Sequence, residues 1–87
     1  MNTRAMAEDS GIHDKITALV AEEKRLRDQL QAHEIEPEEE RARLREVEVQ
    51  LDQCWDLLRQ RDALRTSGGD PDQAAVRPAS EVEGYLQ

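Results

Sequence analysis

Histidine, cysteine and clustered carboxylates are the side chains in this sequence able to do chemistry, and their spacing decides how far each could go. His13 and His33 stand twenty positions apart with no Gly or Pro between them. On one helix that separation is ~30 Å, too far for the two rings to share a metal ion. Cys54 is the only cysteine. A nucleophilic thiol needs a base or a positive surrounding, but Cys54 falls inside an apolar repeat with no histidine placed near it, so it reads as a packing residue. Glu34, Glu36, Glu38, Glu39 and Glu40 crowd around Pro37. Carboxylates there complement the positive end of a helix that starts at the proline. No catalytic residue, metal ligand, cofactor site or small-molecule substrate is assigned from these groups.

The elements that hold these residues are two helices. Ile12, Ile16, Leu19, Glu23, Leu26, Leu30 and His33 step by alternating threes and fours, and so do Leu44, Val47, Leu51, Cys54, Leu58 and Arg61. Each row is a heptad seam. Asp9 and Ser10 are good N-cap types and Asp14 sits in a first turn, so helix one is expected over about 10–33, after a polar N-terminal tail of residues 1–9. Pro37 suits a first helical position and opens helix two. That helix is expected over 37–66, with Arg59, Arg61 and Arg65 near its end and Gly68-Gly69 stopping it. So short a connection permits only an antiparallel return, with facing residue numbers that sum to about 70. This register sets Leu19 against Leu51 and Ile16 near Cys54, and it brings Asp9 and Asp14 beside Arg59 and Arg61. The expected fold is all-α: an antiparallel two-helix coiled-coil hairpin with a short C-terminal tail.

Composition narrows the functional classes. The 87 residues carry a formal net charge of -8 with 37% charged residues, no Phe, one Trp and one Tyr. An acidic chain whose basic residues are interspersed with acids lacks the basic face that phosphate backbones require, which argues against nucleic acid and against an anionic membrane surface. No apolar run approaches the ~20 residues of a membrane span, and residues 1–8 lack the apolar stretch of a signal peptide, so the expected location is cytoplasmic. The aliphatic seam is small for a free-standing domain. Further burial is expected from a second copy of the chain, from a larger partner, or from the C-terminal tail.

That tail, residues 68–87, carries signals of its own. Ser80 and Glu83 have capping-box spacing ahead of Val82, Tyr85 and Leu86, which predicts a short helix over 80–86. Helix two outruns helix one by about seven residues, so Leu57, Leu58 and Leu64 lie on an overhang that something must cover. Trp55 and Val20 flank the seams and widen the apolar stripe. The expected protein-contact residues are Trp55, Leu57, Leu64, Val82, Tyr85 and Leu86.

The block from Glu38 to Arg61, containing Asp52-Gln53-Cys54-Trp55-Asp56, together with Gly68-Gly69-Asp70-Pro71, Val76-Arg77-Pro78 and Val82-Glu83-Gly84-Tyr85-Leu86-Gln87, resembles a family of small, mainly actinobacterial proteins catalogued as a domain of unknown function. Ile12-His13 and Leu19-Val20-Ala21-Glu22-Glu23 extend the likeness to nearly everything after Glu8. Glu36 departs from the pattern, standing where Ser would make a stronger cap before Pro37. The resemblance implies no activity, cofactor or partner; it does imply that the C-terminal segment is part of a shared plan.

The sequence therefore points to a non-catalytic protein-interaction module that self-associates, with a homodimer the simplest case, or docks on a larger partner. One alternative follows from the acidic turn. Hairpins with carboxylates at the tip resemble factors that enter the secondary channel of bacterial RNA polymerase, which would give this chain a role in transcription regulation.

Overall fold

The structure is a computed structural model and describes residues 9–82. Two long helices, α1 (Asp9–Gln31) and α2 (Pro37–Thr66), pack against each other. A single turn of 3-10 helix, η1 (Pro71–Gln73), and a one-turn helix, α3 (Ala79–Val82), follow them. No strand occurs among the described residues. The N-terminal tail expected over 1–9 lies outside the described residues except for Asp9.

Hydrophobic burial along the two seams joins the helices. Ile12, Ile16, Leu19 and Leu26 of α1 meet Val47, Cys54 and Leu57 of α2 in one buried cluster, with Ile35, Leu44, Leu51 and Leu58 packed partly buried around it. Asp9 pairs with Arg61 and the ring of His13 meets that of Trp55 edge-on at 6.3 Å. Both pairs fall where the antiparallel register requires.

Backbone chemistry explains the turn. The first helix ends at Gln31, two residues before the expected end at His33. His33 itself adopts φ 59 in the left-handed region. Its N–H donates to the carbonyl of Leu30 at 3.0 Å and the N–H of Glu34 to that of Gln29 at 2.8 Å. This paired arrangement satisfies the last carbonyls of the helix and usually has glycine at its centre. Glu36 is extended and its side chain makes no capping hydrogen bond, while Pro37 occupies the first turn of α2 and Glu38, Glu39 and Glu40 lie at its positive end. At the far end of α2 the same terminator recurs with the favoured residue: Gly68 has φ 85, and the N–H of Gly69 donates to the carbonyl of Leu64 at 2.7 Å.

Beyond Gly69 the chain doubles back along α2. The Asp70 carboxylate accepts from the N–H of Asp72 at 2.9 Å, and Pro71 sets the start of η1. Residues 74–78 belong to no regular element, with Ala74 extended, and α3 rests on α2. The short helix expected over 80–86 begins instead at Ala79, and Ser80 sits inside it rather than capping it. The N–H of Glu81 donates to the carbonyl of Pro78 at 3.0 Å, so Pro78 supplies the start that the sequence assigned to Ser80. Residues 83–87 lie outside the described residues.

Candidate interaction surfaces

The ~100° step of an α-helix divides the surface of α2 into a core face and two flanks. Gln53, Asp56 and Gln60, at i, i+3 and i+7, share one flank with Leu57 and Leu64. Trp55 lies on the other, beside Leu44, Leu51 and Leu58. On α1, Lys15 faces the first flank, and His13 and Val20 the second.

The C-terminal segment straps the first flank, and its fastenings are polar. Gln60 grips Ala75 twice: its Nε2 donates to the carbonyl at 2.8 Å and its Oε1 accepts from the N–H at 3.3 Å. Gln53 donates to the carbonyl of Arg77 at 3.1 Å. The Asp56 Oδ2 accepts from Gln60 at 2.7 Å and lies 3.4 Å from the guanidinium of Arg77. Asp56 points away from α1, yet it is only 1% exposed because the strap covers it. Its Oδ1 has no hydrogen-bond partner among the described residues. Side-chain amides that satisfy the backbone of residues 75–77 replace the hydrogen bonds a sheet would provide.

Arg61 joins three segments. Its Nε donates to the Asp9 carboxylate at 2.6 Å, and its Nη1 donates to the Pro71 carbonyl and to the Asp72 carboxylate, each at 3.1 Å. Arg65 adds a second contact to Asp9 at 2.6 Å. Hydrogen bonds from Arg61 and then Arg65 hold the Asp9 carboxyl below the usual carboxylate range, and the bond to Asp9 raises the pKa of Arg61 in turn. Arg61 stands at a seam position and is buried, so the guanidinium closes the open end of the hairpin while its stem continues the core.

Between strap and hairpin lies a cavity of about 130 Å³. Ile12, Cys54 and Leu57 form its floor, Val76 of the strap walls it, and Lys15, Gln50 and Gln53 stand at the rim. Burial pushes the Cys54 thiol up, with the nearby Lys15 ammonium opposing. Cys54 is a free thiol buried in the core, the packing role its seam position indicated. No group of three or more His, Cys, Asp or Glu side chains able to hold a metal occurs among the described residues.

The opposite flank is uncovered by the strap. Trp55 is 45% exposed and Val20 50%, and the half-buried row of Leu44, Leu51 and Leu58 runs beside them.

Residues 8–87 match the model of a family described as a protein of unknown function, DUF2630. This chain belongs to that family. Uncharacterized proteins of Mycobacterium bovis (Mb0922c) and of Mycobacterium tuberculosis (Rv0898c) are each 60% identical to it over 77 residues, 88% of this chain and 88% of each relative. The matched region takes in both helices and the whole strap, so strap and hairpin fall within one family unit. No solved structure matches the chain. No helix among the described residues is long and apolar enough to cross a membrane.

The contact residues expected from sequence are dispersed. Trp55 is exposed on the open flank. Leu57 is buried in the core, and Leu64 is half-buried with its Cδ2 3.1 Å from where a Cβ on Gly69 would stand. Val82 ends α3, while Tyr85 and Leu86 lie outside the described residues. The sequence reading missed Gln53, Asp56 and Gln60 as the strap's anchors. The signal available was a polar row bordering Leu57 and Leu64 on α2.

Proposed function

We propose that this protein is a non-catalytic, cytoplasmic interaction module that pairs with a second copy of itself through the Trp55 flank. The observation that carries this reading is the exposure of Trp55 and Val20 on one flank while the strap covers the other. A large aromatic side chain left half in water beside an aliphatic row is the composition of an interface centre.

A second copy fits because the row is self-complementary. Leu44, Leu51 and Leu58 are spaced by seven, so two α2 helices crossing antiparallel about a two-fold axis near Leu51 set Leu44 against Leu58 of the second copy. The acidic-tip alternative draws less support, since Glu39 pairs with Arg43 at 2.9 Å and Glu40 is buried.

Sedimentation equilibrium across protein concentration tests the proposal. The wild-type chain is expected to dimerise, with Trp55→Ala and Val20→Glu each weakening association at least about tenfold, as loss of one interface anchor does. A wild type that stays monomeric at every concentration would overturn self-pairing. If it then captures a larger protein equally well with or without Trp55, the flank itself is excluded.

A further inference from the structure

The chain carries 20 acidic residues and a net charge of -8, yet none of those acids lines the cavity between strap and hairpin, where Lys15 is the one charged group. We propose that this cavity binds a small monocarboxylate, with a compact apolar body of about four to six carbons among Ile12, Cys54, Leu57 and Val76 and the carboxylate on Lys15 and the Gln53 amide. This inference is independent of self-pairing, which uses the opposite flank.

The charge of Lys15 is available to a ligand. On a helix, acids three or four residues away would claim it, but those positions hold Gly11, Ile12, Ala18 and Leu19. Lys24, by contrast, has Asp28 one turn on and pairs with it at 3.7 Å. Lys15 forms no ion pair among the described residues. Asp56, which shares this flank of the hairpin, is engaged by Gln60 and Arg77 instead. The Lys15 ammonium acts on the cavity all the same, since it opposes the rise that burial imposes on the Cys54 thiol. Beside it, the Gln53 amide donates one N–H to the Arg77 carbonyl at 3.1 Å and keeps a second.

Size sets the ligand class. At about 130 Å³ the cavity is well below the ~300 Å³ of pockets that take drug-sized ligands, so a nucleotide does not fit. It is close to the ~150 Å³ of an engineered apolar cavity that binds benzene. A neutral hydrocarbon leaves Lys15 unused, and a bare anion leaves the floor uncovered. A compact apolar body that ends in a carboxylate satisfies both.

Benzoate, benzyl alcohol and acetate separate the two contributions in an NMR titration of the full-length chain. Benzoate is expected to give saturable methyl shifts at Ile12, Leu57 and Val76 with Kd on the order of 1 mM, an affinity within reach of about nine non-hydrogen atoms. Benzyl alcohol is expected to bind more weakly at the same methyls, and acetate not to saturate. Lys15→Gln is expected to weaken benzoate about fivefold, the factor for one ion pair at a solvent-facing rim, and to leave benzyl alcohol unchanged. General loosening of the fold weakens both ligands alike, so an equal loss overturns the carboxylate assignment. Benzyl alcohol bound as tightly as benzoate overturns it too. Failure of benzoate to saturate, or shifts confined to Trp55 and Val20, overturns the site itself. Cys54→Met places a longer side chain in the cavity floor and is expected to raise the benzoate Kd at least about tenfold. Nuclear Overhauser contacts from the benzoate ring to the methyls of Ile12 and Leu57 are read on the wild type, whether or not that variant folds, and their absence overturns the site.

Discussion

Asp9 and Arg61, 52 residues apart in sequence, meet through a 2.6 Å hydrogen bond at the open end of the hairpin. The same guanidinium reaches Pro71 and Asp72, so one side chain ties the start of α1, the body of α2 and the start of the strap. Replacing Arg61 by Ala strips these partners of their donor and hollows a seam position. The expected cost is about 2–3 kcal/mol, read as a lower urea midpoint. Asp9→Asn removes only a pair whose acid is 41% exposed, and is expected to cost under about 1 kcal/mol.

The Asp9 contact carries a pH signature. Because the folded carboxyl is held below its unfolded value, the stability it contributes is complete above the unfolded pKa, near 4, and is lost as pH falls through the lower folded one. Wild type and Asp9→Asn are therefore expected to differ in Tm by a constant amount from pH 5 to 7 and to converge in more acidic buffer. A difference that persists unchanged at pH 2 would count against the contact.

The two helix terminators predict substitutions of opposite sign. His33 occupies the left-handed position that Gly68 occupies at the other end. His33→Gly is expected to stabilise by ~0.5–1 kcal/mol, because the relieved backbone strain exceeds the added chain entropy. Around Gly68 a Cβ would meet nothing within 4 Å, so Gly68→Ala tests conformation alone. It is expected to destabilise by ~1 kcal/mol. Chemical denaturation of both variants checks the pair.

Gln60 predicts a local effect separable from global stability. Gln60→Ala removes both hydrogen bonds to Ala75, and hydrogen exchange at the Ala75 amide is expected to quicken about tenfold while the amides of Leu19 and Leu51 keep their protection. Equal acceleration at all three sites would show that the strap is not a separate unit.

The hairpin was legible in the sequence because its determinants are periodic. Heptad spacing fixes which faces meet, and the short connection at Pro37 fixes direction and register, so the residue pattern alone sets Asp9 beside Arg61. The end of α1 was not legible, because His33 in a left-handed position is chosen by the hydrogen bonds that close the helix and not by residue type. The strap was legible only as a need. Leu64 near the end of α2 required a cover, but side-chain amides pairing with the backbone of residues 75–77 leave no repeat to read, and Gln53, Asp56 and Gln60 look like any solvated row. The role of Trp55 lay beyond sequence for a related reason: packing position and exposed position share the same heptad neighbourhood.

The fastening of residues 70–78 by amide, carboxylate and guanidinium groups, over a hairpin closed by aliphatic burial, gives the two halves of this molecule different sensitivities. Added salt screens the pair made by the half-exposed Arg77 more than those of the buried Arg61 and leaves the aliphatic seam almost untouched, whereas cooling weakens the seam's driving force. Unfolding curves taken at low and high ionic strength should therefore separate into a tail-release step that moves with salt and a main step that does not, so that a single midpoint describes this chain only when the ions are dilute.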